Sequence, residues 1–101
     1  MRRAAFDATA LLKCLANEER LLLLCQLSQG EFCVSELEAR LDIYQPTLSQ
    51  QLAVLRTQQL VSTRRAGKQI FYRLSEPRAM ALLQTLYDQF CGPKAGGRNA
   101  D

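Results

Sequence analysis

The stretch from Ser35 to Leu74 constrains this chain more than any other. Ser35-Glu36-Leu37-Glu38 has the form of a capping box. In that motif a hydroxyl and a carboxylate each satisfy an amide that a helix start leaves unpaired. The helix it opens is short and ends near Asp42. Gln45-Pro46 then opens a second helix, because proline is tolerated at the first helical position, where its missing N–H costs nothing. Leu48, Leu52 and Leu55 recur at helical spacing and give this helix one buried stripe. Beyond Gln58-Gln59, Val61 to Arg65 and Gln69 to Leu74 are β-rich runs on either side of Ala66-Gly67, a hairpin pattern.

Two short helices, a tight turn between them and a basic hairpin after them are the plan of a winged helix-turn-helix. Such a module lays its second helix in the DNA major groove. The expected fold class is mainly α with a small β-hairpin: about five helices and a two-stranded wing. Ala4 to Ala16 supplies the first helix, with Phe6, Leu11, Leu12 and Leu15 apolar. Asn17 is placed to cap the next one, and Glu18 and Glu19 in its first turn complement the helix dipole. That helix, Glu18 to Ser28, is apolar nearly all round, which predicts a central, buried position. Gln29-Gly30 ends it. Phe32-Cys33-Val34 is a short extended piece able to pair with the wing as a third strand.

Ser75-Glu76-Pro77 opens a last helix that runs to about Cys91. Its apolar positions cover about half the circumference, from Ala79 and Met80 through Leu83 and Tyr87 to Phe90. One core contact needs less, so a second partner is expected, most simply another copy of the chain. Residues 1–91 therefore read as one domain with dimerising first and last helices. Gly92-Pro93 stops the helix, and 92–101 read as a flexible tail.

At 101 residues, with 48% hydrophobic and 23% charged side chains, this is an ordinary single globular domain. The net charge of +3 hides an asymmetry. Residues 1–43 balance at −2, whereas residues 44–78 hold Arg56, Arg64, Arg65, Lys68, Arg73 and Arg78 against Glu76 alone, a balance of +5. The positive charge coincides with the second helix and the wing, where phosphates would be met. Double-stranded DNA is the partner this implies.

With Leu48, Leu52 and Leu55 pointing inward, the opposite face of the second helix carries Pro46, Gln50, Ala53 and Thr57. Thr47 lies to one side and Ser49 to the other. Reader helices present their first residues to base edges. Thr47, Ser49 and Gln50 are thus the expected base contacts, and Gln45 touches phosphate or base where the helix begins. Glutamine can bond an adenine edge through two hydrogen bonds. Arg56 lies further along, toward phosphate. Arg64, Arg65 and Lys68 surround the hairpin tip, in reach of phosphates or the minor groove. Ile70, Tyr72 and Leu74 alternate with Phe71 and Arg73, so one of the two aromatics belongs to the core. The pattern leaves open which.

The pattern also excludes several classes. No apolar run is long enough to span a bilayer and no signal peptide is evident, so no membrane partner and a cytoplasmic location are expected. There is no histidine, no Cys-x-x-Cys and no glycine-rich phosphate loop, which argues against an enzyme and implies no cofactor. Cys14, Cys25, Cys33 and Cys91 form no close metal-type pair. In a reducing compartment they are packing residues or a sensor.

Four segments carry a resemblance: Ala16 to Leu21, Gly30 to Leu37, Gln45 to Leu52, and Gln69 to Leu74. They are similar to the ArsR-type winged-helix repressors. The resemblance implies a homodimer built through the first and last helices, and repression released by an inducer. Many such proteins bind metal through Cys-Val-Cys at the start of the third helix. Here the segment is Cys33-Val34-Ser35, and a hydroxyl is a far weaker ligand for a soft metal. The metal expectation is therefore none. The alternative is a thiophilic metal or metalloid sensed through Cys33 with other thiols. The chain resembles more closely the sulfide- and persulfide-responsive, BigR/SqrR-like subgroup. Cys25 in Leu24-Cys25-Gln26-Leu27 and Cys91 after Phe90 match the two cysteines of that subgroup. The resemblance implies that reactive sulfur species are the inducer and that Cys25 and Cys91 are the redox pair. Cys14 and Cys33 are extra to the pattern.

Overall fold

The computed structural model describes residues Met1 to Gly92. Of the tail expected at 92–101, everything past Gly92 lies outside the described residues. The first helix, α1, spans Arg2–Leu15, and α2 spans Glu18–Leu27. Between them Asn17 is in extended conformation, and its Oδ1 accepts from the Arg20 N–H at 3.0 Å, capping α2 as expected. The two-residue strand β1, Phe32–Cys33, runs straight into α3, Val34–Leu41.

This continuity moves the capping box. The extended residue ahead of α3 is Cys33, not Ser35, and its N–H donates to Glu36 Oε1 at 2.9 Å. Ser35 lies inside the first turn, its Oγ 3.3 Å from Cys33 Sγ. Helix α3 ends at Asp42, which adopts the left-handed conformation at φ 56°. Short polar residues tolerate that region best after glycine.

The next helix, α4, spans Thr47–Thr57 and begins one residue later than the sequence pattern suggests. Pro46 sits just outside it as the N-cap. Strands β2, Val61–Ala66, and β3, Gln69–Leu74, follow, and then α5, Pro77–Phe90. The wing turn is Gly67-Lys68, one residue past the expected position, and Gly67 takes φ 65°. A two-residue hairpin turn requires such a positive φ, which glycine adopts without a Cβ clash. The sheet has three strands in the order β1-β3-β2, all antiparallel. The expected two-stranded wing thus gains the third strand that Phe32-Cys33-Val34 offered.

The core is built of leucines: Leu23, Leu24 and Leu27 from α2, Leu37 from α3, and Leu48, Leu52 and Leu55 from α4. Leu60, Leu74, Ala79 and Leu83 close it from the wing base and α5. Helix α2 departs from expectation, because it is not buried on every side. Leu22 is 43% exposed, and Leu21 and Cys25 are only half-buried. The ten residues of α2 meet α1, α3, α4 and the sheet and still leave one side open. Helices α1 and α5 keep apolar surface outside as well: Phe6 is 71% exposed and Phe90 67%.

Candidate nucleic-acid interface and thiol pair

Helix α4 turns its leucine stripe inward, and Ser49, Gln50, Ala53, Arg56 and Thr57 are exposed. Thr47 is half-buried. Gln45 is engaged in the free protein, its Oε1 accepting from the Ser49 N–H at 3.0 Å. This bond satisfies one of the amides that a helix start leaves unpaired. Gln45 therefore shapes the start of α4 as well as standing beside it.

Gln51, which the sequence pattern passes over, holds α4 in place. Its Oε1 accepts from Arg20 Nη1 at 3.2 Å, and its Nε2 donates to Asn17 Oδ1 at 3.2 Å and Glu19 Oε1 at 3.0 Å. Arg20 Nε donates in turn to the Cys14 carbonyl at 2.8 Å. A guanidinium at the C-terminus of α1 is favourable for the helix dipole and ties three helices together. The available signal was a polar residue beside the Leu48/Leu52 stripe, flanking the buried face.

Across β2 and β3, directly opposed residues share a face. Arg65 pairs with Ile70, and Thr63 with Tyr72. Their face continues into Val61 and Leu74, which belong to the core. Tyr72 packs against that core, so it is the inward aromatic. Arg64 pairs with Phe71 on the other face, its guanidinium 5.1 Å from the ring centroid. Arg64 also meets Glu31: Nη2 lies 2.8 Å from Oε1, and Nε is 3.1 Å from both carboxylate oxygens. This contact holds the Glu31 carboxyl below the usual range, chiefly by hydrogen bonding from Arg64. Lys68 is exposed at the wing turn. A groove of about 500 Å³ runs between α3 and the wing, lined by Ser35, Glu38, Gln45, Lys68, Gln69 and Tyr72 among others. It joins the start of α4 to the wing tip along one surface.

The thiols fall into two groups. Cys14 and Cys33 are buried, Cys25 is half-buried on α2, and Cys91 is exposed at the C-cap of α5. Burial pushes the Cys25 thiol up from its ordinary value, and the nearby Cys91 charge adds to the effect. A cavity of about 260 Å³ between α2 and α5 opens on Cys25, with Met80, Gln84 and Tyr87 on its far wall. Cys14 is also pushed up by burial, against a smaller opposing pull from Arg20. Among the described residues no three His, Cys, Asp or Glu converge to hold a metal ion. No helix among them is long and apolar enough to cross a membrane.

Residues 17–63 match the family described as bacterial regulatory protein, arsR family. Over 94 residues the chain is 57% identical to the biofilm growth-associated repressor of Agrobacterium fabrum, covering 93% of this chain and 80% of that one. The chain belongs to the arsR family. Its fold agrees with a crystal structure of the transcriptional repressor BigR from Xylella fastidiosa. That match has a TM-score of 0.85 at 53% identity, over 90% of this chain and 93% of the other. Reduced HlyU from Vibrio cholerae superposes with a TM-score of 0.86 at 42% identity, over 90% and 96% of the two chains. This arsR-family protein is a DNA-binding transcriptional repressor with a winged helix-turn-helix, not an enzyme.

Proposed function

We propose that this repressor binds an inverted-repeat operator as a homodimer and lets go when Cys25 and Cys91 are bridged by reactive sulfur. The observation that carries this reading is that both thiols belong to the two helices that line one cavity. They come from distant parts of the chain, Cys25 on α2 beside the cavity and Cys91 as the C-cap of α5. The surface beside Cys25 is an open cavity rather than packed core. Likeness to the biofilm growth-associated repressors supports the repression in this reading.

The chemistry balances with a hydropersulfide as oxidant. The Cys25 thiolate attacks the sulfane sulfur of R–S–SH, the S–S bond breaks, and the thiol RSH leaves with the proton. Cys25 is then a persulfide. The Cys91 thiolate attacks Cys25 Sγ, hydrosulfide leaves, and a disulfide remains. Two thiols are oxidised and one sulfane sulfur is reduced. The bridge would tie α5 to α2, the helix against which α4 packs, and change the spacing of the two reader helices. Thr47, Ser49 and Gln50 serve as base contacts. Gln45 serves phosphate or base where α4 begins, and Arg56, Arg65 and Lys68 serve the phosphates, while Arg64, expected among them from the sequence, is bonded to Glu31. The alternative sensor at Cys33 has less support, because that thiol is buried and its neighbour is the Ser35 hydroxyl.

The test is operator release followed by mobility shift and intact mass. Cys25→Ser and Cys91→Ser should each bind operator and resist release by persulfide, while Cys14→Ser and Cys33→Ser still respond. Normal release of the Cys25→Ser, Cys91→Ser double variant would end this reading.

A further inference from the structure

Two adjacent wing arginines point to opposite faces of the sheet. We infer that Arg64 is a positioning residue: with Glu31 it clamps the wing to the segment joining α2 and β1, while Arg65 and Lys68 meet the phosphates. Consecutive strand residues alternate in direction. Arg65, opposite Ile70, lies on the face that continues into the core, and Ile70 and Tyr72 of that face line the groove toward α4. Arg64, opposite Phe71, lies on the reverse face.

There the guanidinium is already occupied. Both Nε and Nη2 donate to the Glu31 carboxylate, at 2.8 to 3.1 Å. Its flat side covers the Phe71 ring. A single exposed ion pair is a weak fastening. A forked pair combined with an aromatic platform fixes direction as well as distance. Phe71 in turn pairs with Cys33, the N-cap of α3. The clamp thus closes a short circuit: Glu31, β1, β3, β2 and back to Glu31. A wing held this way arrives at DNA in one orientation, and Arg65 and Lys68 arrive with it.

A phosphate contact and a clamp give opposite results in one set of measurements. Operator affinity is measured against salt concentration for the full chain, with thermal melting to verify folding. Arg65→Ala should flatten the log–log salt slope by about one ion. Arg64→Gln and Glu31→Gln should each weaken binding and leave the slope as it was. The charge-exchanged variant, Glu31→Arg with Arg64→Glu, should bind at least ~3-fold better than Arg64→Glu alone, the positive coupling expected of residues in contact. If instead Arg64→Gln flattens the slope by about one and Glu31→Gln tightens binding, Arg64 is a phosphate ligand that Glu31 merely occupies, and the clamp is wrong. An exchanged variant no better than Arg64→Glu alone would also overturn it.

Discussion

Gln50 and Gln51 are neighbours in sequence with opposite duties. Gln50 is exposed on the outer face of α4, whereas Gln51 is bonded to Asn17, Glu19 and Arg20. Replacing Gln50 by Ala should cost ~1–3 kcal/mol of discrimination at the base pair it reads, with little change on unrelated DNA. A binding-site selection with the variant checks this, and an unchanged consensus would remove Gln50 from the reading face. Gln51→Ala should weaken all operators alike, because what it loses is the seat of the helix. At Cys25 the acidity has its own consequence. Burial and the Cys91 charge disfavour the thiolate. Its reaction with a simple alkylating agent should therefore be slow at neutral pH. The rate should rise through a midpoint above that of an ordinary cysteine thiol. Rates measured by mass spectrometry across pH decide it.

Helix ends and strand faces decide how the pieces meet. Glu76 caps α5: Oε2 accepts from the Arg78 N–H at 2.6 Å, and Oε1 lies 2.7 Å from Arg78 Nη2. These bonds, led by the side-chain bond from Arg78, hold its carboxyl below the usual range. A depressed carboxyl stabilises the fold above its unfolded value, about 4.3, and that contribution is lost as pH falls through the lower folded value. Glu76→Ala should cost about 1 kcal/mol near neutrality, and its stability deficit should shrink below pH ~4. Urea melts at both pH values test this. Leu52→Ala, at the centre of the stripe, should cost about 2–5 kcal/mol. The elements themselves were legible. The Leu48/Leu52/Leu55 stripe, the Asn17 cap and the turn at Gly67 are local patterns, and local patterns are written in neighbouring residues. The misplaced cap at Ser35 shows the limit. Ser35-x-x-Glu38 satisfied the motif, but β1 pairing to β3 kept the chain extended through Cys33 and fixed the start of α3 from outside. The Arg64–Glu31 pair and the Gln51 bonds join residues about thirty positions apart, and no spacing rule reaches that far. For the thiols, the chain pattern supplied the two residues through a likeness. The fold adds that α2, which carries Cys25, and α5, which Cys91 caps, line one cavity.

At the scale of the whole molecule, the two terminal helices carry most of the large apolar side chains left exposed among the described residues. Phe6 and Leu12 on α1 and Met80, Tyr87 and Phe90 on α5 stand in solvent in the single chain. Scattered apolar residues are normal on any surface, but their concentration on the two terminal helices supports the proposed homodimer. Sedimentation should find a dimer, and Phe90→Glu with Phe6→Glu should yield monomers that bind operator DNA far more weakly. Footprints should show an imperfect inverted repeat with half-site centres about one helical turn apart. A monomeric wild type at micromolar concentration would count against the pairing. The exposed helices carry one more consequence. A homodimer of the kind proposed obeys mass action, so its melting temperature should climb with its own concentration. Abundance then sets durability as well as occupancy, and a cell that dilutes this regulator by division loosens the remaining molecules at the same stroke.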